Sequence, residues 1–419
     1  MTRMCFTPNV LQGALPAIPS KSAAHRILIA AALADRATDV ALRGVLSEDI
    51  QATIRCLQSM GTAIRHDGDI LRVASGDFPK GETVFDCGES GSTLRFLLPV
   101  VAARLVGRAT FVGRGRLPSR PLSDLCRSLR DNGCELSADA LPLTLAGQLE
   151  GGTFTLPGNV SSQYVTGLLL ALPLTSRGGR ITLTTPLESV DYITMTLDIL
   201  KCFHIEVEKA TDGWFVPGDQ SYHTPGTIAV EGDWSNAAAL LCGGALKGEV
   251  VVTGLNPMSS QGDRRILDYL RQFGAELQET ADGVAVRACP LHGQRLCLDQ
   301  NPDLFPVLAV VAAAAQGQTH FTGLRRLRMK ECDRLAGIAE MLRAVGAMVV
   351  EGEDSLTVEG GGFLHGASLN VCNDHRLVMA AALLALVTGS EIPINGLEAV
   401  NKSYPGFVKD WTELQRSAT

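Results

Sequence analysis

Leu270-Arg-Gln-Phe-Gly274, followed by Ala275-Glu-Leu-Gln-Glu-Thr280, Asp282-Gly283 and Val284-Ala-Val-Arg287, is the stretch that decides the fold. It reads as the end of a helix closed by a glycine, which tolerates positive φ, then two short alternating strands joined by a two-residue turn. The same ending, Leu-(Arg/Gln/Lys)-x-x-(Gly/His), recurs at Leu57–Gly61, Leu129–Gly133, Leu200–His204 and Leu342–Gly346, with successive spacings of 72, 71, 70 and 72 residues. Each copy opens on a capping or acidic residue: Ser47-Glu-Asp, Ser123-Asp, Asp191, Asp263 and Lys330-Glu-Cys-Asp333. Asp67-Gly68 and Asp212-Gly213 match the turn at Asp282-Gly283.

One further step of 72 reaches Leu414, in a last helix near residues 404–415. No hairpin follows it, so its strands must come from the N-terminus, around Cys5 to Leu11. The chain thus closes on itself as six units, three per domain. Residues 1–16 with 228–419 are expected to form one domain and 17–227 an inserted one, with Pro225-Gly226 marking the second crossing.

Composition narrows the function. Of 419 residues, 46% are apolar and 19% charged, which excludes a disordered chain. A net charge of −7 and only 5% aromatics argue against nucleic-acid binding by bulk charge or base stacking. Eleven cysteines without a Cys-x-x-Cys signal neither a zinc site nor a disulfide framework. Residues 1–10 lack the apolar core of a signal peptide, and runs such as Val378–Val387 are half of a bilayer span. A soluble cytoplasmic protein with reduced thiols is expected.

Seven polar segments are not needed for packing. They are Pro19-Ser-Lys-Ser-Ala-Ala-His-Arg26, Asp86-Cys-Gly-Glu-Ser-Gly-Ser-Thr-Leu-Arg95, Gly113-Arg-Gly-Arg-Leu-Pro-Ser-Arg-Pro121, Gly158-Asn-Val-Ser-Ser-Gln-Tyr164, Leu327-Arg-Met-Lys-Glu-Cys-Asp-Arg334, Asn373-Asp-His-Arg376 and Asn401-Lys402-Ser-Tyr-Pro. Taken singly, each also reads as a solvated cap or a surface loop. Together, most stand at helix starts, where backbone N–H groups favour anions. They converge on an interdomain cleft lined by Lys21, Arg26, Arg95, Arg120, Lys330, Arg334, Arg376 and Lys402. Eight cations in an acidic protein point to a small, multiply anionic substrate.

Nine motifs in register over nearly the whole chain resemble the 5-enolpyruvylshikimate-3-phosphate synthase family of enolpyruvyl transferases. They are Ser20-Lys-Ser-x-x-x-Arg26, Gly91-Ser-Thr-x-Arg95, Arg120-Pro121, Ser161-Ser-Gln163, Ser189-x-x-Tyr192, Pro302-Asp303, Lys330-Glu-x-Asp-Arg334, Asn373-Asp-His-Arg376 and Lys402. The resemblance implies an α/β (α+β) fold, a two-domain inverse α/β barrel of six βαβαββ repeats, three per domain. It implies transfer of the enolpyruvyl group of phosphoenolpyruvate to the 5-hydroxyl of shikimate 3-phosphate, with release of phosphate, in chorismate and aromatic amino acid biosynthesis. Shikimate 3-phosphate would meet Lys21, Ser22, Arg26, Ser161, Ser162, Gln163, Ser189, Tyr192, Asp303 and Lys330. Phosphoenolpyruvate would meet Lys21, Gly91, Arg120, Gln163, Arg334, Arg376 and Lys402, with Arg95 in support. Asp303, Glu331 and Lys21 would be catalytic. Asp303 would take the hydroxyl proton, Glu331 would protonate the methylene carbon, and the cations would steady the shifting charge. No metal or organic cofactor is implied, and a monomer is the family expectation.

The sequence departs from the commonest family pattern at Pro19, His25, Glu89, Arg326 and Cys332. Glu89 adds a negative charge beside the phosphoenolpyruvate segment, while Gly91, which bears on inhibition by glyphosate, is retained. Two other readings share part of the pattern: a transferase acting on UDP-N-acetylglucosamine, and a non-catalytic six-repeat binding protein. The former family carries a reactive cysteine in the loop matching Gly113–Pro121, which here has none.

Overall fold

The computed structural model describes residues 3–416. The chain begins in β1 (Arg3–Phe6) and β2 (Leu11–Pro16). It crosses at Ser20–Lys21 into an inserted unit, Lys21–Val230, and returns at Glu231.

The inserted unit holds three repeats. The first is α1 (Lys21–Leu33), β3 (Thr38–Ala41), α2 (Glu48–Ser59), β4 (Ala63–Asp67) and β5 (Ile70–Ala74). The second is β6 (Lys80–Asp86), α3 (Gly91–Arg104), β7 (Val106–Val112), α4 (Ser123–Arg130), β8 (Cys134–Leu136) and β9 (Leu143–Gly147). The third is β10 (Gly152–Leu156), α5 (Ser162–Ala171), β11 (Gly179–Leu183), α6 (Val190–Cys202), β12 (Glu208–Ala210) and β13 (Gly213–Val216), after which comes β14 (Thr227–Ala229).

The other unit repeats this grammar. Its first repeat continues from β2 into α7 (Trp234–Lys247), β15 (Gly248–Thr253), α8 (Ile266–Phe273), β16 (Glu276–Thr280) and β17 (Gly283–Arg287). Next come β18 (Arg295–Cys297), α9 (Phe305–Ala314), β19 (Gly317–Thr322), α10 (Arg334–Ala344), β20 (Met348–Glu351) and β21 (Ser355–Gly360). The last is β22 (Leu369–Asn370), α11 (His375–Thr388), β23 (Ile392–Asn395) and α12 (Phe407–Arg416).

Each repeat makes one sheet. The strand before the inner helix pairs in parallel with the strand after it, as Gly152 of β10 faces Gly179 of β11. The hairpin then adds its second strand antiparallel and leaves its first at the edge, in the order β10-β11-β13-β12. Three sheets take a strand from far along the chain. β14 pairs in parallel with β3 and completes the inserted unit's first sheet. Pro225-Gly226 therefore leads into this unit's last strand, and the crossing comes after it. β1 pairs antiparallel with β23, Cys5 opposite Pro393. The last sheet thus gains one strand from the N-terminus and not a hairpin, because Leu11 already opens β2, which pairs with β15.

Local details refine the sequence reading. Gly61, Gly133, Gly274 and Gly346 all have φ between +92° and +99°, and His204 takes the same left-handed place at +61°. Ser47 and Asp333 cap α2 and α10. Ser123 and Asp191 instead lie in the first turn, and Asp263 sits in a 3₁₀ turn ahead of α8. The two-residue turns are Gly68-Asp69, Thr211-Asp212 and Ala281-Asp282, one position from the Asp-Gly pairs. In the latter two the aspartate carbonyl must stay in the turn, where it accepts the N–H of Leu183 or Gly254.

Helices α1, α9 and α11 are apolar all round and buried over almost their whole length, as are α3, α5 and α7. α2, α4, α8 and α12 are amphipathic and cover them. A helix enclosed on every side can place polar groups economically only at its ends. That confines the functional side chains to helix starts. The tightest helix contact is α5 on α3: an ideal Cβ at Gly167 would lie 2.2 Å from the Arg95 carbonyl oxygen. Gly167→Ala is expected to cost ~2–3 kcal/mol by overpacking and to lower the melting temperature by about 5–10 °C, read by differential scanning calorimetry.

Candidate active site

In the inserted unit the polar groups gather at the starts of α1, α3 and α5. Ser90 caps α3 by accepting the Thr93 N–H, which sets Gly91 as the first helical residue. A Cβ on Gly91 would stand 2.6 Å from Arg95 Nη1 and 2.7 Å from Arg120 Nη1. Glycine there makes room for two guanidiniums. Arg95 donates to Gln163 Oε1 at 2.9 Å and to the Pro121 carbonyl at 2.8 Å. Tyr164 donates to that same carbonyl at 2.6 Å, so the arginine-rich loop is anchored to α3 and α5. Gln163 Nε2 donates to Ser92 Oγ at 3.0 Å. Ser161 caps α5 and Ser162 is its first residue. Glu89 lies against the loop too, its carboxylate 2.5 Å from where a Cβ on Gly115 would be.

Arg26 is a different case. It is 2% exposed, packed against Phe96 and Tyr192. It donates to Thr196, to the Ser22 carbonyl, to Thr166 and to the Tyr192 carbonyl. Four of its five N–H groups are thereby used, leaving one for a ligand. Burial lowers its pKa to about 10. Lys21 pairs with Asp49 at 2.7 Å. Ser189 precedes α6 in left-handed conformation, φ 57°, and is buried.

In the other unit Arg334 is the hub. It is 2% exposed and places one carboxylate on each nitrogen: Asp374 on Nε at 2.7 Å, Asp303 on Nη1 at 2.6 Å and Glu331 on Nη2 at 2.6 Å. Lys330 reaches Asp303 at 3.1 Å. Asp374 also caps α11. Arg376 donates to the Ser235 carbonyl at 2.8 Å and to its hydroxyl, which in turn donates to Asp263. Lys402 donates to the Asn373 carbonyl at 2.6 Å. Cys372 and Asn373 both have positive φ, 49° and 53°, and turn that carbonyl toward the lysine.

Electrostatics follow from this pairing. Burial pushes the Asp303 carboxyl up, but Lys330, Arg334 and Arg376 outweigh it and hold it far below the ordinary carboxylate range. Burial lowers Lys330. Arg334 is raised despite burial, by Asp374, Glu331 and Asp303. The cations Lys330 and Arg334 are thus matched by Asp303, Glu331 and Asp374, so the set is not a bare cationic surface. The sequence motifs alone do not mark Asp49, Asp374, Ser235 and Asp263 as site residues. Asp49 and Asp263 carried the signal of helix openings and Asp374 that of a charged tetrad. Cys332, beside Glu331, is buried and its thiol faces Asp374 at 3.5 Å and the Cys372 sulfur.

A family model described as EPSP synthase, 3-phosphoshikimate 1-carboxyvinyltransferase, matches residues 6–411. The chain belongs to this family. A 3-phosphoshikimate 1-carboxyvinyltransferase of Methanocorpusculum labreanum is 37% identical over 418 residues, 98% of both chains. That of Clostridium acetobutylicum is 40% identical over 422 residues, 98% of this chain and 96% of its own. Among solved structures, an EPSP synthase from Acinetobacter baumannii superposes with a TM-score of 0.81 at 25% identity, covering 100% of this chain and 98% of its own. The enolpyruvyl transferase NikO from Streptomyces tendae superposes with a TM-score of 0.78 at 19% identity, covering 98% and 97%. The two-domain α/β fold of the EPSP synthases is therefore the fold of this chain.

Two expectations follow. The His25 ring is buried, with Nδ1 2.7 Å from Thr53 Oγ1. Burial first, then the charges of Lys21 and Arg26, push its pKa well below 6.5. A depressed histidine stabilises the fold fully above its unfolded pKa of about 6.5, and that contribution fades as pH falls below it. The urea-unfolding free energy should drop from pH 7 to 5 by up to ~1.4 kcal/mol per unit more than in His25→Asn. Cys332 is raised by its hydrogen bond to Cys372 and by burial, whereas that same bond lowers Cys372. Mass spectrometry after brief iodoacetamide treatment should find Cys372 modified before Cys332.

Proposed function

We propose that this chain transfers the enolpyruvyl group of phosphoenolpyruvate to the 5-hydroxyl of shikimate 3-phosphate and releases phosphate. Family membership over residues 6–411 supports the reaction class. The observation that carries the residue assignment is that Asp303 and Glu331 occupy two nitrogens of one guanidinium, each at 2.6 Å. An acid and a base within one group's reach suit a reaction that protonates one carbon while an adjacent carbon is attacked.

Asp303 takes the proton of the 5-hydroxyl as its oxygen bonds the second carbon of phosphoenolpyruvate, and Glu331, which takes up a proton from solvent as a substrate anion displaces it from Arg334, passes that proton to the methylene. The tetrahedral ketal phosphate then loses a methyl proton and phosphate to give the enolpyruvyl ether. Paired with Lys330 and Arg334, Asp303 is too acidic to be a good base. Substrate anions that draw Lys330 and Arg334 away would raise its affinity for a proton. Lys21, Arg120, Arg334, Arg376 and Lys402 hold phosphate and carboxylate charge as it shifts. Ser22, Arg26, Ser161, Ser162, Gln163, Ser189, Tyr192 and Lys330 hold shikimate 3-phosphate, with Gly91 giving phosphoenolpyruvate its space. Arg26 and Gln163 do so in large part by holding their neighbours. Every step moves protons or forms and breaks substrate bonds, so no metal or organic cofactor is invoked. The chain works as a monomer in the cytoplasm on this reading.

Phosphate release from shikimate 3-phosphate plus phosphoenolpyruvate tests it, with UDP-N-acetylglucosamine as the alternative acceptor. Release should require shikimate 3-phosphate, and kcat should fall by about 10²–10⁴ in Asp303→Asn and in Glu331→Gln. Release with the sugar nucleotide, or full activity in either variant, would sink the assignment.

A further inference from the structure

Arg376 is 6% exposed, at the start of the buried helix α11. Of its five N–H groups, two are used, one on the Ser235 carbonyl and one on the Ser235 hydroxyl. The buried Nε has no hydrogen-bond partner among the described residues. Arg26, by contrast, is satisfied at four N–H groups, and Arg334 carries a carboxylate on every nitrogen. A buried guanidinium with three open donors is costly unless something anionic arrives.

Behind Ser235 stands Asp263, 3% exposed. Its Oδ2 accepts the serine hydroxyl, and its buried Oδ1 has no partner among the described residues. A carboxylate kept solely to brace Arg376 would touch it directly, as Asp374 touches Arg334. Here a hydroxyl intervenes. Because Arg376 donates to Ser235 Oγ, the serine proton must point at Asp263, and the guanidinium plane is set by two bonds while three of its N–H groups stay open.

We infer that Ser235 and Asp263 are positioning residues that aim the open N–H groups of Arg376 at an anionic group of phosphoenolpyruvate. The inference rests on the assignment of Arg376 to that substrate. It also gives a pH dependence. Burial first, then Asp303 and Asp233, raise the Asp263 carboxyl, while Arg376 and the Ser235 hydroxyl lower it, leaving it at about 6. Lys330 and Arg334 hold Asp303 ionised, and it is as an anion that Asp303 raises Asp263. Above that pH the anion holds the serine proton firmly; below it the hold weakens and Arg376 loses its aim.

The experiment is the initial rate of phosphate release by the full chain at saturating shikimate 3-phosphate, varying phosphoenolpyruvate from pH 5 to 8. Ser235→Ala should raise KM for phosphoenolpyruvate about tenfold, the worth of one bond to a charged group, with kcat changed much less. Ser235→Thr, which keeps the hydroxyl, should recover most of the affinity. The substrate phosphate itself titrates near 6, so the pH readout is the difference between proteins. Wild-type KM should climb more steeply below pH 6 than that of Asp263→Asn, whose KM is high throughout. Circular dichroism verifies that each variant is folded. Arg376→Lys separates the outcomes. If it raises KM but Ser235→Ala leaves KM within twofold, or Asp263→Asn keeps the wild-type pH profile, the positioning role is wrong. If Arg376→Lys itself leaves KM unchanged, the assignment of Arg376 to phosphoenolpyruvate falls with it.

Discussion

The Arg334 guanidinium, enclosed in protein and bonded to Asp374, Asp303 and Glu331, is the interaction on which the polar cluster at the starts of α10 and α11 depends. Taking four charges out of water is expensive, and the cluster survives because each nitrogen finds a carboxylate at hydrogen-bond distance. Asp374 does two jobs. One oxygen caps α11 through the Arg376 N–H at 2.8 Å, and the other holds Arg334 Nε. The start of α10 is thereby locked to the start of α11. On the proposed reading, a substrate anion competes for these same bonds, so the stability of the cluster and its readiness for proton transfer are set together.

The inserted unit solves the same problem with neutral partners. Arg95 donates to a carbonyl and an amide, and it spans α3, α5 and the arginine-rich loop. His25, Thr53, Thr93 and Ser90 form a chain of buried hydrogen bonds, each about 2.7 Å, that ties α1, α2 and α3. Their effect is to hold Lys21 and Gly91 in place from behind. In both units the cause is one: helices buried on all sides leave only their first turns for polar chemistry.

Much of this was legible in the amino-acid order. A repeat of about 71 residues, apolar runs too long for one face, and glycine or histidine after each outer helix announced six units and their helix ends. Both depend on local rules, the left-handed cap and the spacing of apolar side chains. The polar segments at helix starts were legible for the same reason. What a given arginine does was not. Arg26, Arg95, Arg334 and Arg376 look alike as letters, yet one is nearly saturated by neighbours, one braces a loop, one gathers carboxylates and one keeps three donors open.

The sequence by itself determined the repeat, the family, the helix starts as the place of function, and the residue types present there. Only the tertiary structure decided that β14 completes the sheet of β3 and that β2 goes to β15, since those partners lie about 190 and 240 residues away and no local rule reaches so far. It also decided the charge state and availability of each group. A pKa or an open N–H depends on burial and on neighbours brought from other repeats, and those distances exist only once the inner helices have packed.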